Sequence, residues 1–117
     1  MKLLFLDTET TGLDPVKNGI IQIAGIIEVD GIEKERFDLN CGLFEGQTMS
    51  PQALATNGKT PEEIRAYPAP RETYAKFLEI LDRHIDRYNK ADKFYMVGQN
   101  VAFDFQFLDA FFKRGVN

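Results

Sequence analysis

Between residues 20 and 41, two strand-like segments, IIQIAGIIEV and IEKERFDLNC, are joined by Asp30-Gly31 alone. No other feature of the chain restricts its fold so much. A two-residue hairpin turn needs positive φ at one or both central positions, and Asp-Gly supplies it at low cost. The isoleucine-rich segment 20–29 reads as a strand, so segment 32–41 must return antiparallel beside it. The returning segment is more polar and belongs toward the sheet edge. Ahead of the hairpin, residues 2–7 are apolar on both faces and read as a central strand. Residues 12–19, with Pro15 and Asn18, read as a loop. At 117 residues the chain makes one small domain.

Helical signals follow. Ser50-Pro51 and Thr60-Pro61 each pair an N-cap residue with proline at the first helical position. Thr60 to Glu63 also fits a capping box. The spacing of Tyr74, Phe77, Leu78, Leu81, Ile85 and Tyr88 predicts a longer helix over 71–88 with one apolar face. FYMVG, 94–98, reads as a fourth strand. Asn100 is placed to cap a last helix with Phe103, Phe107, Ala110 and Phe111 on one side. Lys113 and Arg114 suit the end of that helix and Gly115 its cap. The order β-β-β-α-β-α predicts an α/β fold whose hairpin-linked strands are followed by a crossover helix.

The strand at 2–7 runs into Asp7, with Glu9 two residues on. Strand residues at i and i+2 face one way, roughly 7 Å apart, so the two carboxylates are expected to converge beyond the strand end. Unrelieved, they repel each other. A divalent cation removes that penalty, and oxygen-only ligands favour Mg²⁺ or Mn²⁺ over zinc. Turn chemistry at a strand end is the plainer account of the same residues. A calcium loop is excluded, because Asn18 stands where such a loop needs glutamate and a strand precedes it. Asp104 lies four residues after Asn100, on the same helix face. It either complements the helix dipole or, if strand 94–98 lies parallel beside strand 2–7, faces the carboxylate pair across the crevice where α/β sheets bind ligands.

DTETTGL (7–13) with GQNVAFDFQFL (98–108) resembles the first two motifs of the DEDD, or DnaQ-like, 3′–5′ exonuclease family of the ribonuclease H-like superfamily. The epsilon subunit of bacterial DNA polymerase III and ribonuclease T belong to that family. ALATNGKTPEEI (53–64) is also similar to the family pattern. The resemblance implies a ribonuclease H-like mixed sheet, three antiparallel strands followed by a parallel fourth, in the order 3-2-1-4-5 with flanking helices. It implies two-metal hydrolysis of single-stranded DNA or RNA 3′ ends, the metals ~3.5–4 Å apart. Asp7, Glu9 and Asp104 match three of the family's four metal-binding, catalytic acids. Thr10, Gly12 and Leu13 would meet the terminal nucleotide, and Asn100 and Phe103 would shape its pocket. The cations would also supply positive charge to a chain of formal net charge −4.

The family's third motif, HxAxxD or YxxxD, provides the fourth acid and a His or Tyr. Of the 13 residues after Asp104, none is His, Tyr or Glu, and Asp109 is the only acid. Five residues turn a helix by about 140°, which directs Asp109 outward. Tyr88 to Asp92 spells YxxxD but precedes the second motif and reads as surface. His84, the only histidine, reads as packing or solvated. Gln99 stands where many members have His. The expectation is that 1–117 forms an exonuclease domain without its C-terminal part and third motif, weak or inactive alone. Strand 94–98 would then be an open edge inviting self-association or a completing segment; a polymerase is a further expected partner. The alternative is a non-catalytic nucleic-acid-binding or protein-interaction module on the same fold. The lone Cys41 points to a reducing, cytoplasmic setting. No apolar run approaches the ~20 residues of a membrane helix, and the N-terminal run is too short for a signal peptide.

Overall fold

The computed structural model describes residues 1–116. Its elements are β1 (Lys2–Thr10), β2 (Ile20–Val29), β3 (Ile32–Asn40), α1 (Pro51–Asn57), α2 (Pro61–Arg65), α3 (Pro70–Asp82), β4 (Phe94–Val97) and α4 (Val101–Gly115). They form one mixed sheet in the order β3-β2-β1-β4. The β1–β2 and β2–β3 pairs are antiparallel and β1–β4 is parallel. The hairpin turn carries Asp30 at φ 52° and Gly31 at φ 83°, both left-handed, as a type I′ turn requires. Ser50 accepts from the Ala53 N–H at the start of α1, and Thr60 and Glu63 complete a capping box on α2.

The core lies between one sheet face and two helices. Leu4, Leu6, Ile23, Ile27 and Phe37 of the sheet pack with Phe77 and Ile80 of α3 and Phe107, Leu108 and Phe111 of α4. Aromatic rings tie the layers: Phe37 and Phe77 have centroids 5.7 Å apart, and Phe77 stacks on Phe112 at 6.0 Å. Each buried Phe contributes roughly 1.5–3 kcal/mol of hydrophobic stabilisation. Among the described residues no helix is long and apolar enough to cross a membrane.

Several boundaries differ from the sequence expectation, each for a local reason. β1 continues to Thr10 because β2 pairs with it through Gln22 and Ile20. Asp7 and Glu9 therefore sit within the strand, not beyond its end. β4 matches β1 only as far as Phe5 with Val97, so the stretch of β1 bearing the acids has no strand on that side. β3 stops at Asn40, leaving Cys41 buried just after it. β4 ends before Gly98, where a Cβ would lie 2.9 Å from the Leu6 carbonyl oxygen; only glycine passes so close.

α3 stops at Asp82, short of the expected residue 88. Side chains beyond it take the backbone amides a helix would use: Asp86 accepts from Tyr88 N–H, Asn89 from Ala91 N–H and Asp92 from Asp86 N–H. Tyr88, expected on the apolar face, is 85% exposed, and the buried face of α3 is Thr73, Phe77 and Ile80. On α4, Leu108 is buried where the sequence pointed to Ala110. Asn100 holds the N-cap position without a side-chain cap bond, and the helix runs through Gly115 to a Val116 cap. Gly115 is needed for space, since a Cβ there would sit 2.6 Å from the Tyr74 ring.

Candidate active site

Because β1 outruns β4, its last residues border open space at the carboxyl end of the parallel pair. Strand alternation turns Asp7 and Glu9 to one face and Thr8 and Thr10 to the other. The first turn of α4 brings Asp104 to the edge that β4 has left. Thr8 Oγ1 donates to Asp104 Oδ1 at 2.5 Å, and both residues are buried, Asp104 at 7% exposure. Asp7 is exposed and Glu9 half-buried.

The three carboxylates feel one another. Burial raises the Asp104 pKa, the Thr8 hydrogen bond opposes that rise, and the Asp7 charge adds to it. Glu9 is also raised, first by burial and then by Asp7, with the Lys59 charge acting against the rise and Asp104 adding to it. Such a cluster of like charges is stabilised by a cation.

Two clefts meet here. One, of about 490 Å³, is lined by Asp7, Asp104, Val97, Gly98, Gln99 and Asn100. The other, also about 490 Å³, takes in Glu9, Thr10, Gly12 and Leu13. Thr8 and Phe103 border both. Leu13 stands 84% exposed, while the Phe103 ring leans on Phe107 at 4.9 Å. Thr10 Oγ1 donates to the Gly12 carbonyl at 2.8 Å, fixing the turn out of β1. The eight residues singled out in the sequence thus line these two clefts, with Asp7 and Asp104 in one and Glu9 in the other.

Every candidate ligand is a carboxylate oxygen, a donor set that suits a hard divalent cation. Oδ2 of Asp104 receives no hydrogen bond from Thr8 and stays available. Among the described residues, no three His, Cys, Asp or Glu side chains are already gathered as a metal-binding group. Glu9 lines one cleft and the Asp7–Asp104 pair the other, while the charges of both aspartates still act on Glu9. No further acid, and no His or Tyr, lines either cleft among the described residues.

The remaining polar residues lie elsewhere. Asp109 pairs with Lys113 Nζ at 2.8 Å on the outer side of α4. His84 Nε2 lies 2.8 Å from Glu35 Oε1 and Asp92 lies 2.7 Å from Lys2 Nζ. Cys41 is buried, and its thiol is pushed up to about 12 by that burial.

Sequence reasoning missed the wall formed by α1. Ser50, Gln52, Ala53, Thr56 and Asn57 line the Glu9 cleft. The N-cap signal announced the helix, but its docking depends on long-range bonds, such as Ser50 N–H to the Thr11 carbonyl at 2.6 Å. Thr8 was also missed; its place between Asp7 and Glu9 was the available signal.

Comparisons with known proteins agree with this architecture. The RNase T family model, described as an exonuclease, matches residues 4–117. Ribonuclease T of Shewanella sp. (strain ANA-3) is 26% identical over 116 residues, covering 93% of this chain and 51% of the relative. The PolC-type DNA polymerase III of Pediococcus pentosaceus is 25% identical over 113 residues, 97% of this chain and 7% of the polymerase. The chain spans about half the length of the ribonuclease T relatives it matches. The structure of E. coli Exonuclease I in complex with a dT13 oligonucleotide superposes with a TM-score of 0.79 at 24% identity, over 97% of this chain and 24% of the other, and shares the fold. With the family match spanning nearly its whole length, this chain belongs to the RNase T-type, DEDD (DnaQ-like) exonuclease family.

Proposed function

We propose that this domain hydrolyses phosphodiester bonds at the 3′ end of single-stranded DNA or RNA, with Asp7, Glu9 and Asp104 as catalytic, metal-binding acids for Mg²⁺ or Mn²⁺. One observation carries the reading: Asp7, Glu9 and Asp104 stand where two clefts meet beyond the end of β4, with Glu9 and Asp104 raised in pKa by burial and by the Asp7 charge. In such sites divalent cations stabilise the attacking and leaving oxygens and activate water. The chain's own residues do the rest. Thr8 keeps Asp104 oriented and favours its ionised form. Thr10, Gly12 and the exposed Leu13 would meet the terminal nucleotide, and Asn100 and Phe103 would shape its pocket, as their places along the two clefts allow.

The match to a PolC-type polymerase supports a polymerase as partner. β4 pairs with β1 alone among the described residues, and Tyr95 and Val97 are 52% and 37% exposed. That edge suits a further strand, whether from a third motif or from a second copy. A reducing compartment, the cytoplasm, suits the free buried Cys41.

A second reading is a non-catalytic nucleic-acid-binding or interaction module. It is favoured by the lack of a fourth acid or general base along either cleft among the described residues. General-base assistance is worth roughly 10²–10⁴ in rate. The test is degradation of end-labelled single-stranded DNA and RNA with Mg²⁺ or Mn²⁺ by the 117-residue chain and by a version carrying a third motif. Exonuclease function predicts metal-dependent shortening from the 3′ end, far faster with the third motif. No shortening by either form, with binding retained, supports the module instead.

A further inference from the structure

Helix α1 buries none of its residues, yet Gln52, Ala53, Thr56 and Asn57 make it one wall of the Glu9 cleft. With Ala53 and Leu54 only half-buried, polar contacts at its two ends help to hold this wall. At its leading end the Ser50 N–H reaches the Thr11 carbonyl. At its trailing end Asn57 Nδ2 donates to the Thr10 carbonyl at 3.1 Å. The same amide is used on its other side, where Oδ1 accepts from the Lys59 N–H at 3.0 Å. That second bond closes the turn over Gly58, which sits at φ 73°.

Thr10 is also where the β1–β2 ladder slips. Glu9 faces Gln22, but Thr10 faces Ile20, so Ile21 is skipped. A bulge bends a strand and re-aims the side chains beside it. The Thr10 carbonyl, at that irregularity, takes its hydrogen bond from Asn57. We infer that Asn57 is a positioning residue: its amide fastens the α1 wall to the irregular end of β1 and so sets the gap between that wall and Glu9. The inference rests on the exonuclease reading for what fills the gap, a terminal nucleotide. Asn57 acts here through backbone groups of Thr10 and Lys59, not on the reacting atoms.

The test uses Asn57→Ala and the longer amide Asn57→Gln, with three readouts. The first is amide hydrogen exchange in residues 54–57. The second is affinity for a nucleoside 5′-monophosphate with Mn²⁺ present. The third is affinity for Mn²⁺ alone. Losing a hydrogen bond of ordinary net strength corresponds to about a three- to tenfold change. Asn57→Ala should speed exchange in α1 and weaken nucleotide binding by such a factor. Mn²⁺ affinity should hold, because the Asn57 amide bonds backbone groups of Thr10 and Lys59 and none of the three carboxylates, and Asn57→Gln should recover part of the nucleotide affinity. Unchanged exchange overturns the clamp. Faster exchange with unchanged nucleotide affinity overturns its role in setting the gap. Equal loss of Mn²⁺ and nucleotide binding, from either variant, also overturns it. A wild-type chain that binds no nucleoside monophosphate defeats the exonuclease reading, and the clamp then stands or falls on exchange alone.

Discussion

Thr8→Val removes one hydroxyl from the site and nothing else of comparable size. Thr8 is 8% exposed and Asp104 7%, and the lost contact is the 2.5 Å hydrogen bond between them. A hydrogen bond to a charged group contributes about 1.5–3 kcal/mol. At roughly 1.4 kcal/mol per decade, the lower figure corresponds to a tenfold loss. Because the bond favours ionised Asp104 against burial and the Asp7 charge, removing it raises the Asp104 pKa further. The carboxylate must ionise to hold a cation, so the loss should grow as pH falls. We predict that Thr8→Val weakens Mn²⁺ binding, measured by calorimetry at pH 6, 7 and 8, by up to about tenfold, with the largest loss at the lowest pH. Thr8→Ser, which keeps the hydroxyl, should stay near wild type. A folded Thr8→Val protein with wild-type Mn²⁺ affinity at all three pH values would refute the argument that Thr8 prepares Asp104 for the metal.

Two further outcomes follow from the same site. In the folded chain the Asp104 pKa is raised above the ordinary 3.8, so the native state binds its proton more tightly than the unfolded chain does. Stability is therefore lost as pH rises from 3.8 through the raised value. Without metal, Asp104→Asn should melt higher than wild type at pH 7, by about 4 °C if ~1 kcal/mol is regained. The difference should vanish below the ordinary carboxyl range and reverse sign with saturating Mn²⁺; a lower melting temperature at pH 7 without metal contradicts the charge argument. Leu13 is 84% exposed, so Leu13→Ala should leave the melting temperature unchanged. If Leu13 packs on the terminal base, nucleoside monophosphate binding should weaken by roughly 1–2 kcal/mol of lost apolar contact; equal affinity removes Leu13 from the nucleotide site.

Much of this architecture is written in local patterns. Asp30-Gly31 determines the hairpin, Ser50 and Thr60 start their helices, and the two acid-bearing motifs border adjoining clefts. What the sequence hid was decided by partners distant along the chain. β1 extends over polar Asp7–Thr10 because β2 supplies ladder partners there. The segment after Asp82 reads as helix by its apolar spacing, but Asp86, Asn89 and Asp92 divert its amides. Asn100 has the residue type of a cap without the bond. The separation of Glu9 from the Asp7–Asp104 pair, and the closing of its cleft by α1, depend on tertiary docking that no residue spacing encodes.

The central claim is that the carboxylates beyond the end of β4 form a cation site. Calorimetric titration of Mn²⁺ into the wild-type chain, Asp104→Asn and Asp109→Asn tests it most directly. Asp109 lies five residues further along the same helix, paired with Lys113 at 2.8 Å and outside both clefts. The account predicts that Asp104→Asn weakens Mn²⁺ binding by tenfold or more, about 1.4 kcal/mol, while Asp109→Asn leaves it at the wild-type value. Equal effects of the two substitutions, or no Mn²⁺ binding by the wild-type chain, would contradict it.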